Sequence, residues 1–101
     1  MQYYVIGDED TVLGFGMVGV QGSTVRTREE AQEAFQTALQ NKEIGIIIIT
    51  EKIAELIRTT VDKYLFTVRF PLIVEIPDRT GPVPGRLGIR DMINAAIGIK
   101  L

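Results

Sequence analysis

The sequence predicts an α/β fold: a small open sheet of four parallel strands with helices on both faces, receiver-like or Rossmann-like in build. Two observations carry this. The run Gly45–Thr50 (GIIIIT) is aliphatic without alternation and feeds straight into the charged, 3.6-periodic segment Glu51–Tyr64. A buried parallel strand followed by its crossover helix reads this way. The same order of apolar run and amphipathic run then recurs, giving strand followed by helix four times, and that alternation belongs to parallel sheets.

The elements follow in order. Tyr3–Ile6 is β-prone and ends at Gly7. Asp8 or Asp10 can cap a first helix over Thr11–Val18, its carboxylate meeting the free N–H groups of the first turn. Gly14 and Gly16 loosen that helix by about 1 kcal/mol each relative to alanine, leave room for a neighbouring backbone, and end it near Gly19. Ser23–Arg26 is a short second strand. Thr27 with Glu30 three residues on forms a capping box, and Ala31, Phe35, Ala38 and Leu39 give Arg28–Gln40 an apolar helical stripe. Ile44–Ile49 is apolar on both pleat faces apart from Gly45 and belongs near the middle of the sheet.

Thr50 is the expected cap of a third helix. Ile53, Leu56, Ile57, Val61 and Leu65 form its buried stripe, and Glu51, Glu55, Arg58, Asp62 and Lys63 face water. Phe70–Ile76 (FPLIVEI) is the fourth strand. Pro71 places it at a strand start or on an edge, and Glu75, a charge able to reach solvent, also argues for an edge. Pro77–Gly88 holds three of the four prolines and reads as a loop. Ile89–Ile97 is helical, with Gly98 able to stop it. The organisation is a compact domain over 1–78 and a loop plus C-terminal helical segment over 79–101.

Composition narrows the chemistry. A chain of 101 residues, 46% hydrophobic and 24% charged, suits one domain with one core. Its 11 basic and 13 acidic residues imply no polybasic face, which argues against nucleic acid as partner. Cysteine and histidine are both absent, which removes disulfides, thiol catalysis, the usual general base and most zinc and haem chemistry. Carboxylate-only magnesium or calcium sites stay open. The longest aliphatic run is far short of the roughly 20 residues needed to span a bilayer, and Tyr3–Gly7 reads as a strand rather than a leader. The expectation is a cytosolic protein with no direct membrane insertion.

Three constellations invite a chemical reading, and each has a plainer one. Asp8, Glu9 and Asp10 follow the first strand, where a phosphoacceptor module keeps acids for magnesium. Such a module also needs an aspartate closing the third strand and a lysine on a later one, whereas the third strand here runs Ile49–Thr50–Glu51. Gly14, Gly16 and Gly19 match G-x-G-x-x-G, but they sit inside the expected helix rather than in the turn that would cradle a pyrophosphate. Glu51 with Glu55, or Glu75 with Asp78, lacks the contrasting environments that separate a general acid from a base. No cofactor and no metal is expected.

Three segments carry a family likeness: Val5–Val18 (VIGDEDTVLGFGMV), Gly45–Arg58 (GIIIITEKIAELIR) and Pro71–Gly81 (PLIVEIPDRTG). In order and spacing the chain resembles the F subunit of the rotary V-type/A-type ATPases (ATP synthases) from residue 3 to about residue 98. The resemblance implies a four-stranded parallel domain with a C-terminal portion that can change position. It also implies a non-catalytic central-stalk (rotor) subunit that clasps the coiled coil of the D subunit, sits near the C/d-type subunit, and couples ATP hydrolysis or synthesis to ion transport. It would be peripheral to the membrane through the complex.

On this chain the partner-binding expectation falls on the segment after the fourth strand. Ile89, Met92, Ile93 and Ile97 form an apolar stripe that faces either the sheet or the D-type coiled coil, and Arg79, Arg86 and Arg90 flank it with positive charge. Two other classes compete: a stand-alone receiver-like signalling or nucleotide-binding module, and a homodimeric scaffold using an exposed fourth strand.

Overall fold

Gln2–Gly7 (β1), Gln21–Thr24 (β2), Ile44–Thr50 (β3) and Leu72–Ile76 (β4) make one sheet in a computed structural model that describes residues 2–67, 71–78 and 80–81. The strand order is β2-β1-β3-β4, and every pairing is parallel. β3 is central, as its uninterrupted aliphatic run requires. It faces Ile46 to Leu72 and Ile48 to Val74 on one side, and Tyr3 to Ile46 and Val5 to Ile48 on the other.

Glu9–Gly16 (α1) starts two residues earlier than the sequence predicts, because Asp8 is the cap. Its carboxylate accepts the Thr11 N–H at 3.2 Å and the Thr11 hydroxyl at 2.5 Å. β2 also lies two residues earlier than expected. Its pairing with β1 starts at Tyr4–Gln21, which frees Val25 to enter the core and Thr27 to cap the next helix.

Arg28–Gln40 (α2) has the predicted bounds and the predicted capping box. The Glu30 N–H donates to Thr27 Oγ1 and the Thr27 N–H to Glu30 Oε1, both at 3.1 Å. The Arg26 N–H gives the Glu30 carboxylate a second backbone bond, at 2.9 Å. Together these donors hold the Glu30 carboxyl below its ordinary value, the Arg26 bond most of all.

The segment expected as one helix over Glu51–Tyr64 is two: Glu51–Leu56 (α3) and Arg58–Thr67 (α4), separated at Ile57 with φ −127° and ψ 37°. No proline or glycine marks the break. It seats Ile57 in the core while Arg58 turns toward the sheet. Leu56, expected in the stripe, is instead 40% exposed. Arg58, expected to face water, keeps only 19% of its side chain exposed.

Thr50 stands at the N-cap of α3 with extended backbone (φ −69°, ψ 147°), as expected, but its side chain does not do a cap's work. It makes no capping bond, and its hydroxyl is buried without a partner among the described residues. β4 is an edge strand preceded by Pro71, as expected. Glu75, however, does not reach out to solvent: its side chain is 11% exposed and held by Arg58.

The two faces of the sheet are unequal. Ile6, Ile47, Ile49 and Ile73 point into a core closed by Ala31, Phe35 and Ala38 of α2, Ile53 and Ala54 of α3, Ile57, and Val61 of α4. Phe35 and Tyr64 meet edge to face at 5.9 Å between centroids, a contact worth about 1 kcal/mol beyond area burial. The opposite face carries α1, and α1 buries no residue fully. A side chain built at Gly22 would strike the Val5 carbonyl at 2.5 Å and Val12 of α1 at 3.3 Å, so Val5 lies on the α1 side. By strand register Ile48 and Val74 share that side.

Candidate partner-binding surface

In an open parallel sheet of this order, ligands sit beyond the carboxyl ends of the strands where the winding reverses. That point lies between β1 and β3, at Gly7–Asp8 and Thr50–Glu51. It is filled by the protein's own atoms. A side chain at Gly7 would meet the Thr50 methyl at 2.8 Å and Thr11 at 3.6 Å, so no cradle opens there.

The acids of this edge are already engaged. Asp8 caps α1, Glu9 pairs with Arg26 at 3.4 Å, and Asp10 has a partner interaction of its own. Gly14 and Gly16 belong to α1, and Gly19 closes the turn after it at φ +89°. This G-x-G-x-x-G run therefore cannot present a strand-to-helix phosphate loop.

The other carboxylates are committed in the same way. Glu75 takes two bonds from Arg58 at 2.7 Å, and Glu55 and Asp62 bind the same guanidinium at 3.0 and 2.9 Å. Asp78 accepts the Thr80 hydroxyl at 2.5 Å and the Thr80 N–H at 2.8 Å, with Lys52 at 3.7 Å. The Thr80 hydroxyl bond, followed by its N–H and by Lys52, holds the Asp78 carboxyl below its ordinary value despite some desolvation. Among the described residues no group of three or more acids is placed to hold a metal ion.

What the surface offers is apolar. Leu13, Met17 and Val18 at the end of α1 are 65%, 82% and 78% exposed, and no residue from Thr11 through Val25 carries a charge. Beside them runs a groove of about 400 Å³, walled by Gly14, Phe15 and Val18 on one side and by Ile76, Pro77 and Asp78 on the other. Contiguous exposed apolar surface of this kind marks an interaction site more often than a catalytic one. Nothing within 4 Å of Gly14 or Gly16 requires glycine there. The missing charge across Thr11–Val25 was the signal in the sequence that could have located this face.

The expected contact residues Arg79, Arg86, Ile89, Arg90, Met92, Ile93 and Ile97 all lie outside the described residues. The groove nevertheless ends where that segment begins, since Asp78 lines it and the Gly81 N–H donates back to the Asp78 carbonyl at 3.0 Å.

Comparison with known proteins decides the family. The sequence profile of the ATP synthase (F/14-kDa) subunit matches residues 4–93. The chain belongs to the ATP synthase F-subunit family. It is 36% identical to the A-type ATP synthase F subunit of Pyrococcus furiosus, over 100% of this chain and 98% of that protein. It is 38% identical to the corresponding protein of Methanothermobacter thermautotrophicus, over 96% of this chain and 92% of that one. The crystal structure of the V-type ATP synthase F subunit of Archaeoglobus fulgidus has the same fold, with a TM-score of 0.60 at 22% identity over 74% of this chain and 95% of that one. As an F subunit of the A/V-type ATPases, the chain is one component of an ATP synthase complex. Among the described residues no helix is long and apolar enough to cross a membrane.

Proposed function

We propose that this F subunit is a non-catalytic part of the central stalk, binding the coiled coil of the D subunit and transmitting rotation between ATP chemistry and ion transport. The observation that carries the reading is the pairing of spent acids with an exposed apolar face. Every carboxylate near the carboxyl edge of the sheet is capping, paired or otherwise engaged, while Leu13, Met17 and Val18 stand in solvent. A rotor element needs surface rather than a reacting group.

The contact is assigned to Ile89, Met92, Ile93 and Ile97, laid on the coiled coil as a helix with one apolar stripe. Arg79, Arg86 and Arg90 orient it at the rim, where charge serves registration more than affinity. The C/d-type subunit at the base of the stalk is the second neighbour. In this role the protein is cytoplasmic and peripheral to the membrane, reaching it only through the complex.

The test is binding of the full chain to a D-type coiled coil by calorimetry, repeated with Met92→Asp and Ile93→Asp together. The expected result is a loss of at least a hundredfold in affinity with the thermal melt of the chain unchanged. Undiminished binding would remove the stripe from the interface.

A further inference from the structure

We infer that Arg58 and Glu75 form a latch on a two-state helix. While their paired hydrogen bonds are closed, α3 and α4 stay separate. When the bonds open, Glu51–Thr67 runs as one helix with Leu56 turned in and Arg58 turned out. The latch concerns β4 and these two helices alone, and it stands whether or not the coiled-coil reading holds.

The interruption is confined to one residue. The Ile57 N–H donates to the Ala54 carbonyl at 3.1 Å, three residues back rather than four. The Val61 N–H already reaches the Ile57 carbonyl at 3.0 Å, in α register. Ile57 alone separates the two helices, with φ −127° and ψ 37°. No proline or glycine lies between Glu51 and Thr67, so no local helix breaker opposes the joined form.

Two side chains decide between the forms. At about 100° per residue, Leu56 and Arg58 stand on opposite flanks of Ile57, so a rotation that covers one uncovers the other. The observed state exposes 40% of the leucine and only 19% of the arginine side chain, the reverse of what solvation favours. Arg58 Nε is also buried with no partner among the described residues, a cost that turning the guanidinium to water removes.

The counterweight comes from β4. Of the three acids on Arg58, Glu55 and Asp62 stand three residues before it and four after, spacings that an uninterrupted helix keeps within reach. Glu75 is met only while Arg58 is turned in, through two bonds of 2.7 Å. Lys52 of α3 holds Asp78, two residues past the end of β4, at 3.7 Å. These ties straddle Ile57, and both lead to the same edge strand, which pairs on one side only among the described residues. The position of β4 therefore selects the helix state, and a displacement of that strand is read out at Leu56 and Arg58.

The test compares the full-length chain with Glu75→Gln by NMR. Leu56→Cys is added to both for thiol alkylation, which is specific because the chain has no native cysteine. The expected result in Glu75→Gln is an Ile57 Cα shift moved into the helical range. Alkylation at position 56 should slow roughly tenfold, since a covered thiol reacts only on local opening. Arg58→Gln opens the latch from the other side and is expected to reproduce both changes. A folded variant of either kind that keeps Ile57 non-helical, or is alkylated at the unchanged rate, overturns the proposal. Loss of the fold in both variants overturns it as well, because the joined helix is then not a state this chain can reach. The coiled-coil partner is left out, so a failure here is distinct from a failure of coiled-coil binding.

Discussion

Arg58 of α4 and Glu75 of β4 meet through two parallel hydrogen bonds, Nη1 to Oε2 and Nη2 to Oε1, each 2.7 Å long. The pair joins the second half of a broken helix to the edge strand, and Glu55 and Asp62 complete the ring of acceptors. Those carboxylates, Glu75 foremost, push the Arg58 pKa above its ordinary value, against the opposing effect of burial, so the guanidinium stays charged at every accessible pH. A fork with two parallel bonds fixes orientation as well as distance, and it anchors α4 to the outermost strand.

Glu75→Ala is therefore expected to cost about 2 kcal/mol. That is less than the 3–5 kcal/mol of a fully buried pair, because Arg58 keeps Glu55 and Asp62 and some contact with water. Arg58→Lys should recover only part of the wild-type stability, since an ammonium cannot fork. Urea unfolding of the two single variants and the double variant measures the coupling. Additive effects would show that the fork contributes nothing.

The glycines of the first half-sheet should separate cleanly. Gly22→Ala drives a methyl against the Val5 carbonyl and should destabilise by roughly 1–3 kcal/mol, the usual range for overpacking. Gly14→Ala meets nothing within 4 Å and should stabilise the isolated chain by about 1 kcal/mol through helix propensity. Thermal melts of the two variants give opposite signs on this account.

Thr50→Val removes a buried hydroxyl that has no partner among the described residues and makes no capping bond. Losing an unsatisfied polar atom while keeping the shape should be neutral or stabilising by up to about 1 kcal/mol. A loss larger than that, read from chemical denaturation, would mean the hydroxyl is bonded.

Acid should weaken the domain in a defined order of sign. Glu30, ordinarily at 4.5, is held lower in the folded chain, and so is Asp78, ordinarily at 3.8. A depressed carboxyl stabilises the fold fully above its unfolded value, and that contribution is lost as pH falls through the folded one. Stability should thus fall below about pH 4.5, and Glu30→Gln should flatten part of the decline. Thr27→Ala should cost about 1 kcal/mol at neutral pH by breaking the capping box. Denaturation across pH 3–7 checks both.

Where one local rule governed, the chain could be read directly. The capping box of Thr27 and Glu30 set the start of α2, and the unalternating isoleucines placed β3 at the centre of the sheet. Reading failed where distant partners decided. The break at Ile57 carries no proline or glycine, and it is tied to Arg58 reaching across to Glu75, a residue far along the chain. Glu75 looked like a solvent-seeking edge charge for the same reason: its partner is invisible to local pattern. β2 was displaced because a polar edge strand takes its register from β1 rather than from its own sequence. The open α1 face was half legible. Its glycines suggested close approach of another backbone, but exposure of Leu13, Met17 and Val18 depends on which helices share that face, and spacing alone does not reveal this.

The most direct trial of the central claim is co-expression of the intact chain with a D-type coiled coil, followed by native mass measurement and an ATP turnover assay on the isolated chain. The account predicts a one-to-one assembly and no turnover by the chain alone. A chain that ignores the coiled coil, or that hydrolyses ATP unaided, would contradict it.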